Sequence, residues 1–576
     1  MSLRTSRREF LNRGARAASA MVGSRFLVTE TYAQADRAYQ AGFDRLDRYI
    51  EQYMRDMNTP GMTMAIADRD GVQRVATYGF SDPDLKVPVK AEELFQIGSI
   101  SKSFAAICAL QLSEEGKLDL HRPITDYLPW FRIESSYAPI TTHHMLTHTS
   151  GLPGAGPVFL SDPAARHRAA CPPGQYFHYN NMCFDLLGHL LWTLDGRPAP
   201  EAIRARIFEP LGMATSAPAI SFDVRARTAK NYSAFLPDRP YGRYDRLCEA
   251  PAIVLTAASG CVAATAHDMG LYLQMLANHG RGPKGRLLSE ESFALFSKAH
   301  IKAEEFGPTA GYGYGIAVDT LGGHQIVRHT GGMVSFASAL HVDIDQGVGA
   351  FASINAMQGY RPNPPAQYAI QIIRAHREGQ PLPSAPPLHP PASIENAGEY
   401  AGTYQSRDGA RLEFVAEGTR LFLIYKAERV PVETVNGPGW LARHPDFERF
   451  ALVFGRSDAK DPKSAIVEVG WGPDWYVNFR YSGPREFDYP KEWESYVGHY
   501  RNESPWLGST RIVLRKGVLM MDGVVPLAPL ADADGGIFYL RDEEHSPEWI
   551  RFGAIVNGKS MHAKVSGEDL WRVAGE

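Results

Sequence analysis

The sequence predicts an α/β fold: an antiparallel sheet flanked by helices, with a helical subdomain, followed by two small antiparallel β-barrel domains. Three observations predict it. Helix-periodic segments at both ends of the first 380 or so residues enclose strand-like runs. A proline-dense stretch then interrupts the chain, and the C-terminal third repeats itself at an offset of 95–96 residues.

The chain has 576 residues, 44% apolar, 11% aromatic and 22% charged, which is enough for several packed domains. Disorder and a disulfide-stapled miniprotein are both excluded. No run of about 18 consecutive apolar residues occurs, so no helical membrane span is expected. With 64 acidic against 60 basic residues the net charge is −4, and nothing draws the chain generally toward nucleic acid.

Residues 1–35 read as a twin-arginine-type signal peptide. Ser6-Arg7-Arg8-Glu9-Phe10-Leu11 lies in a basic region with Arg4, Arg13 and Arg16. A weakly apolar stretch comes next, and Ala33-Gln34-Ala35 fits a small-x-small cleavage site. The expectation is export in the folded state to a bacterial periplasm; the alternative reading is a basic amphipathic helix. Cys108, Cys171, Cys183, Cys248 and Cys261 are odd in number and lack zinc-type spacing, so buried free thiols are expected.

Residues 36–379 form the first folded unit. A helix is expected from Asp36 to Met57, with Phe43, Leu46, Ile50, Tyr53 and Met57 on one face. A hairpin comes after it, Met62 to Ala67 and Val72 to Tyr78, around Asp68-Arg69-Asp70-Gly71. The middle, about 95–300, reads as helix and loop. Strands return at Gly313–Val318, His324–His329, Phe336–Val342 and Val348–Ile354, and a helix from Pro365 to about Arg377 closes the unit.

A proline-rich linker covers 380–393. Beyond it, 394–485 and 486–576 read as two copies of one β-barrel domain. Tyr400-Ala401-Gly402-Thr403-Tyr404 matches Tyr496-Val497-Gly498-His499-Tyr500, and Val430-Pro431-Val432 matches Val525-Pro526-Leu527.

Three short motifs carry chemistry. Ser99-Ile100-Ser101-Lys102 begins an apolar helix and puts Ser99 and Lys102 on one face, where an amine can share the task of removing the serine proton. The helix start adds backbone N–H groups useful to a developing oxyanion. Ser457-Asp458-Ala459-Lys460 repeats the pattern among β strands, without the context. Tyr179-Asn180-Asn181 supplies a phenol that can take or relay a proton if cations favour its phenolate, and an Asn181 amide for a substrate carbonyl. His329-Thr330-Gly331-Gly332 ends a strand; Gly331 and Gly332 let a substrate backbone approach. His329 is placed to supply positive charge near Tyr179 or to bind a substrate carboxylate.

Together these motifs, in this order, resemble the penicillin-recognising serine hydrolases, the group of class C β-lactamases, D-alanyl-D-alanine carboxypeptidases, D-aminopeptidases and related esterases. The flanks Phe95-Gln96-Ile97-Gly98 and Leu146-Thr147-His148-Thr149-Ser150-Gly151-Leu152 are similar too, and the resemblance covers about 40–375. It implies a beta-lactamase-like sheet domain with Ser99 as acylated nucleophile, Lys102 tuning it, and Tyr179 as base and then acid. The N–H groups of Ser99 and Gly332 would form the oxyanion hole, and Asn181 and Thr330 would hold substrate. Whether Lys102 or Tyr179 is the primary base stays open at this level.

The resemblance implies no cofactor. The histidines His143, His144 and His148 lack an H-E-x-x-H pattern, and no metal is expected. His329, where class C β-lactamases usually carry Lys, favours the peptidases, and a catalytic domain followed by two barrels is the layout of D-aminopeptidase. The expected activity is hydrolysis of amide bonds in short peptides, plausibly containing D-residues. The alternatives are an esterase on the same scaffold, and a β-lactamase or penicillin-binding protein that acylates without turnover.

Overall fold

The computed structural model describes residues 29–30, 39–162, 164–357, 361–435, 439–506, 508–530, 536–541 and 545–575. The expected signal peptide, 29–30 apart, lies outside them.

Helix α1 (Gln40–Asp56) buries Phe43, Leu46, Tyr49, Ile50, Tyr53 and Met54, an apolar stripe recurring every three to four residues. The hairpin β1 (Gly61–Asp68) and β2 (Val72–Asp82) comes next. Helices α2 (Ser101–Glu114), α3 (Asn181–Asp195) and α4 (Ala266–Ala277) belong to the helical middle, and a short helix at Glu290–Phe296 ends it. Then come β3 (Ala317–Leu321), β4 (His324–Gly332), β5 (Ala337–Asp343), β6 (Val348–Ile354) and helix α5 (Asn363–Arg377).

The long strands pair antiparallel in the order β2–β1–β6–β5–β4–β3, so the chain's first hairpin docks on its last strand. Side-chain alternation sorts the faces. Met62, Met64 and Ile66 of β1 pack with α1 and α5. Ala65 and Ala67 pack on the opposite face with α2, α3 and α4. Strand β1 is therefore covered on both sides.

One strand starts later than the sequence pattern suggests. Gly311–Tyr312 forms a separate short strand, and β3 begins at Ala317 rather than Gly313. Between them Gly315 takes φ +68 and presses against α2, where a Cβ would lie 2.7 Å from the Lys102 carbonyl oxygen. That left-handed contact ends the strand and fixes its neighbours against the helix bearing Lys102.

The C-terminal third is two closed eight-stranded antiparallel barrels, spanning 402–477 and 498–572. The repeated Tyr-x-Gly-x-Tyr segment does the same work in each. The buried Tyr404 hydroxyl donates to the Tyr400 carbonyl at 3.0 Å, and Tyr500 to the Tyr496 carbonyl at 2.7 Å. Ser457 to Lys460 sit exposed in a turn of the first barrel, remote in kind from the helix start at Ser99. No helix among the described residues is long and apolar enough to cross a membrane.

Candidate active site

Ser99 lies in a single 3-10 turn (Gly98–Ile100) that runs straight into α2, two residues before the helix the sequence pattern assigns it to. Helix α2 is apolar all round and buried through the domain centre, as a helix without a polar face must be. Lys102, one turn on, is wholly buried. Its Nζ reaches Ser99 Oγ at 3.1 Å, Asn181 Oδ1 at 2.7 Å and the Ser259 carbonyl at 2.9 Å.

These partners constrain the amine chemically. Two are oxygens that can only accept, so each takes one N–H. The ammonium form spends its third proton on Ser99; the neutral amine instead turns its lone pair to the Ser99 hydroxyl. Burial lowers the Lys102 pKa to about 7, with Asp185 pulling the other way, so both forms are accessible near neutrality. Asp185, one turn past Asn181 on α3, accepts from the Ser259 N–H at 3.1 Å.

Asn180 caps α3, its side chain accepting from the Cys183 N–H at 2.7 Å, and this sets Tyr179 just outside the helix and Asn181 at its first position. The Tyr179 hydroxyl is buried without a hydrogen-bond partner among the described residues. Burial raises its pKa, opposed by Ser99 and more weakly by Arg361, while Glu305 adds to the rise. The phenolate that flanking cations were expected to favour is thus disfavoured in the free site: Tyr179 rests as a neutral proton donor. Asn181 orients Lys102 through Oδ1 and keeps its amide N–H groups for a ligand.

Glycines bring the end of β4 beside Ser99. A Cβ on Gly331 would lie 1.9 Å from the Ile97 carbonyl, and one on Gly98 (φ +53) would lie 2.7 Å from that of Gly332. No other residue permits this approach, which sets Gly332 alongside Ser99.

His329 does not do what its position in the sequence suggests. It is buried, and its pKa falls to about 3, from burial first and then the nearby Lys102, so it supplies no positive charge. It ends a neutral relay instead. The Asn180 N–H donates to His148 Nδ1 at 3.0 Å, which leaves the His148 proton on Nε2, facing the Tyr312 hydroxyl at 3.2 Å. Tyr312 then donates to His329 Nε2 at 2.9 Å, and His329 Nδ1–H donates to the Thr330 carbonyl at 2.6 Å. The backbone N–H at one end fixes both histidine tautomers. His143 and His144 are likewise structural: His143 Nδ1 bonds the Tyr314 hydroxyl and His144 Nδ1 accepts from the Thr141 N–H.

Ser99, Tyr179, Asn181, His329, Thr330 and Gly332 border one open cavity of about 750 Å³. Residues outside the three motifs complete its wall: Tyr241, Glu305, Phe306, Arg328 and Arg361 of the first domain, and Pro505 and Trp506 of the second barrel. That barrel also grips the loop leading to Tyr179. Glu548 Oε1 accepts from His178 Nε2 at 2.9 Å and from the Gly154 N–H at 2.6 Å, and the His545 ring lies tilted against Tyr176 at 3.7 Å between centroids. The five cysteines are free thiols, and burial pushes Cys108, Cys183 and Cys261 up to about 12, so none of these three competes as nucleophile. Among the described residues the one metal-like grouping is His324, Asp343 and Asp345, at the far end of β4 from His329, and Arg374 already pairs with Asp343 at 3.4 Å.

The family model described as Beta-lactamase matches residues 46–375, more than half of the chain and all of the motifs above. The chain belongs to the Beta-lactamase family. Its similarity to esterase EstB of Burkholderia gladioli is 31% identity over 195 residues, 29% of this chain and 50% of that one. Penicillin-binding protein 4 of Amycolatopsis lactamdurans is 27% identical over 376 residues, 61% of this chain and 95% of that one. The D-alanyl-D-alanine-carboxypeptidase/endopeptidase AmpH of Escherichia coli is 29% identical over 214 residues, 34% of this chain and 54% of that one. The chain thus spans about half the length of EstB and of AmpH. Among solved structures, the octameric penicillin-binding protein homologue from Pyrococcus abyssi superposes with a TM-score of 0.54 at 22% identity, covering 76% of this chain and all of that one.

Within this Beta-lactamase-family site, sequence motifs locate Ser99, Lys102, Tyr179, Asn181 and the 329–332 strand end, and the fold brings them together. They miss Asp185, Tyr241, Arg361, Trp506 and Glu548. Only Asp185 carried a local signal, four residues beyond Asn181 on the same helix.

Proposed function

We propose that the protein is an exported serine hydrolase that cleaves amide bonds of short peptides through an acyl-enzyme on Ser99. The observation that carries this reading is the set of partners around Lys102 Nζ, which leaves the neutral amine one direction to act in, toward Ser99 Oγ at 3.1 Å.

Lys102 takes the Ser99 proton as Oγ attacks the substrate carbonyl carbon. The resulting oxyanion is received by the N–H groups of Ser99 and Gly332, while Asn181 and Thr330 hold the flanking amides. The neutral Tyr179 hydroxyl gives its proton to the departing nitrogen, breaking the C–N bond, and regains one from the Lys102 ammonium. Water then attacks the ester carbonyl carbon, losing a proton to Lys102, and as the ester C–O bond breaks the Lys102 ammonium returns a proton to the Ser99 oxygen, which leaves as the hydroxyl. The chain's own residues supply every step.

The preference for amides rests on Tyr179, since an amine leaves only if protonated, whereas an alkoxide needs less help. Export to the periplasm is proposed on the basic segment around Arg7 and Arg8. The second reading, an esterase, is favoured by the stretch similar to EstB. A panel of D- and L-amino acid p-nitroanilides beside p-nitrophenyl butyrate, with Ser99→Ala as control, separates the two. Amide turnover that vanishes in Ser99→Ala supports the peptidase. Ester turnover alone supports the esterase, and full activity in Ser99→Ala refutes both.

A further inference from the structure

Three side chains on one face of α3 address Lys102, and one of them has no polar atom. Asn181, Phe184 and Asp185 stand at i, i+3 and i+4 from the helix start, so all three project the same way. Asn181 accepts from Nζ at 2.7 Å, and Asp185 acts through its charge. Phe184 sets its ring under Nζ, 5.6 Å from the centroid, and the Tyr179 ring lies 4.9 Å away. Lys102 and Phe184 are both fully buried. His148 backs the two rings, at 4.4 Å from Tyr179 and 5.1 Å from Phe184 between centroids, and so holds them in place.

Acyl transfer makes Lys102 an ammonium at the moment its third partner changes. In each tetrahedral intermediate Ser99 Oγ is bonded to the substrate carbon, while the proton given up by Ser99 or by water rests on Nζ. Asn181 Oδ1 and the Ser259 carbonyl still accept two N–H groups, but the third no longer faces a hydroxyl. The titratable groups facing Lys102 give little relief. Asp185 on α3 favours the charge. Cys261 stays a thiol, pushed up to about 12 by burial, and burial together with Lys102 itself keeps His148 and His329 neutral. Burial also keeps Tyr179 a neutral phenol. An aromatic face attracts a cation without being a proton acceptor, and most strongly away from water.

We propose that Phe184 is a positioning residue of the reaction: its ring and that of Tyr179 form an aromatic seat that holds the Lys102 ammonium in both tetrahedral intermediates. This role rests on the acyl-transfer reading above and adds to it a side chain that exchanges no proton. The proton enters Nζ from Ser99 Oγ or from water and leaves to Tyr179 or back to Ser99 Oγ, and the Phe184 ring is unchanged throughout. Asn181 and Ser259 fix where Nζ stands, and the two rings favour its charged form there.

The test replaces Phe184 in the full chain by phenylalanines bearing one, two and three ring fluorines, which nearly keep the shape of the ring while draining its negative face. The rate of fluorophosphonate labelling at Ser99 is followed across pH by intact-protein mass spectrometry. A weaker seat favours the ammonium less, so the acid limb, at about 7 in the native chain, moves to lower pH. The expected shift grows with the number of fluorines and reaches about one pH unit at three. Phe184→Leu, which has no ring, moves the limb as far. A ring that only fills space gives no graded shift, so a limb that stays in place, or moves without following the fluorine number, overturns the proposal. Complete labelling of Ser99 at high pH in each variant reports folding. A native chain that is not labelled at Ser99 defeats the acyl-transfer reading itself, whereas labelling with an unmoved limb defeats only the aromatic seat.

Discussion

Lys102 Nζ lies 3.1 Å from Ser99 Oγ with its other two donors held by Asn181 Oδ1 and the Ser259 carbonyl, so deprotonation creates a lone pair aimed at Ser99 Oγ. The pKa of about 7 comes from burial, which withdraws the ammonium from water, and Asp185 restrains the fall. The arrangement converts a residue that is ordinarily a fixed cation into a base usable near neutral pH.

Because the active form is the amine, kcat/KM rises with pH through about 7 and falls below it as Lys102 is protonated. Asp185 holds that pKa up, so Asp185→Asn moves the acid limb to lower pH, by about one unit for a buried charge at this range. Asn at this position still accepts from the Ser259 N–H, so folding is preserved. The pH–rate profiles of the two proteins check the shift; an unmoved limb removes Lys102 as the titrating group.

The Asn180–His148–Tyr312–His329 relay joins the loop bearing Tyr179 to the strand end bearing Thr330. Tyr312→Phe deletes its central hydroxyl and leaves His329 Nε2 buried without a donor, at a cost of about 2 kcal/mol. Denaturant unfolding of the variant measures this. Nitrogen chemical shifts of the imidazoles read the tautomers directly, with His329 expected neutral and protonated on Nδ1 at pH 6 and above. A protonated His329 at pH 6 contradicts the neutral relay.

Glu548 anchors the second barrel to the loop before Tyr179. Its pKa is lowered, with the hydrogen bonds from His178 and Ser566 outweighing burial, so its stabilisation is present above the ordinary carboxylate range and is lost as pH falls through the lowered value. Glu548→Ala leaves the Gly154 N–H and His178 without their acceptor, and removing one partner of a buried pair costs about 3 kcal/mol. Limited proteolysis of the 153–178 segment, faster in the variant and faster in the native protein at acid pH, checks the docking.

Local features were legible in the sequence. The helices and the Ser99–Lys102 and Tyr179–Asn181 pairs rest on residues a few positions apart, where periodicity and motif spacing act, and the duplicated barrels show as a repeat at an offset of 95–96 residues. The charge state of His329 was not, because it depends on Tyr312 and His148, which only folding brings near. The same holds for Glu548, 370 residues from the His178 it binds, and for Arg361 and Tyr241, which no local pattern marks. Gly315 moved the start of β3 for a similar reason, since its neighbour is Lys102 on another element.

The central claim, acyl transfer through Ser99 activated by Lys102, is tested most directly by intact-protein mass spectrometry after reaction with a fluorophosphonate across pH. The account predicts one adduct, mapped to Ser99, formed faster as pH rises through 7, lost in Ser99→Ala, and slowed at least a hundredfold in Lys102→Ala. An adduct on another residue, or labelling of Lys102→Ala at the native rate, would contradict it.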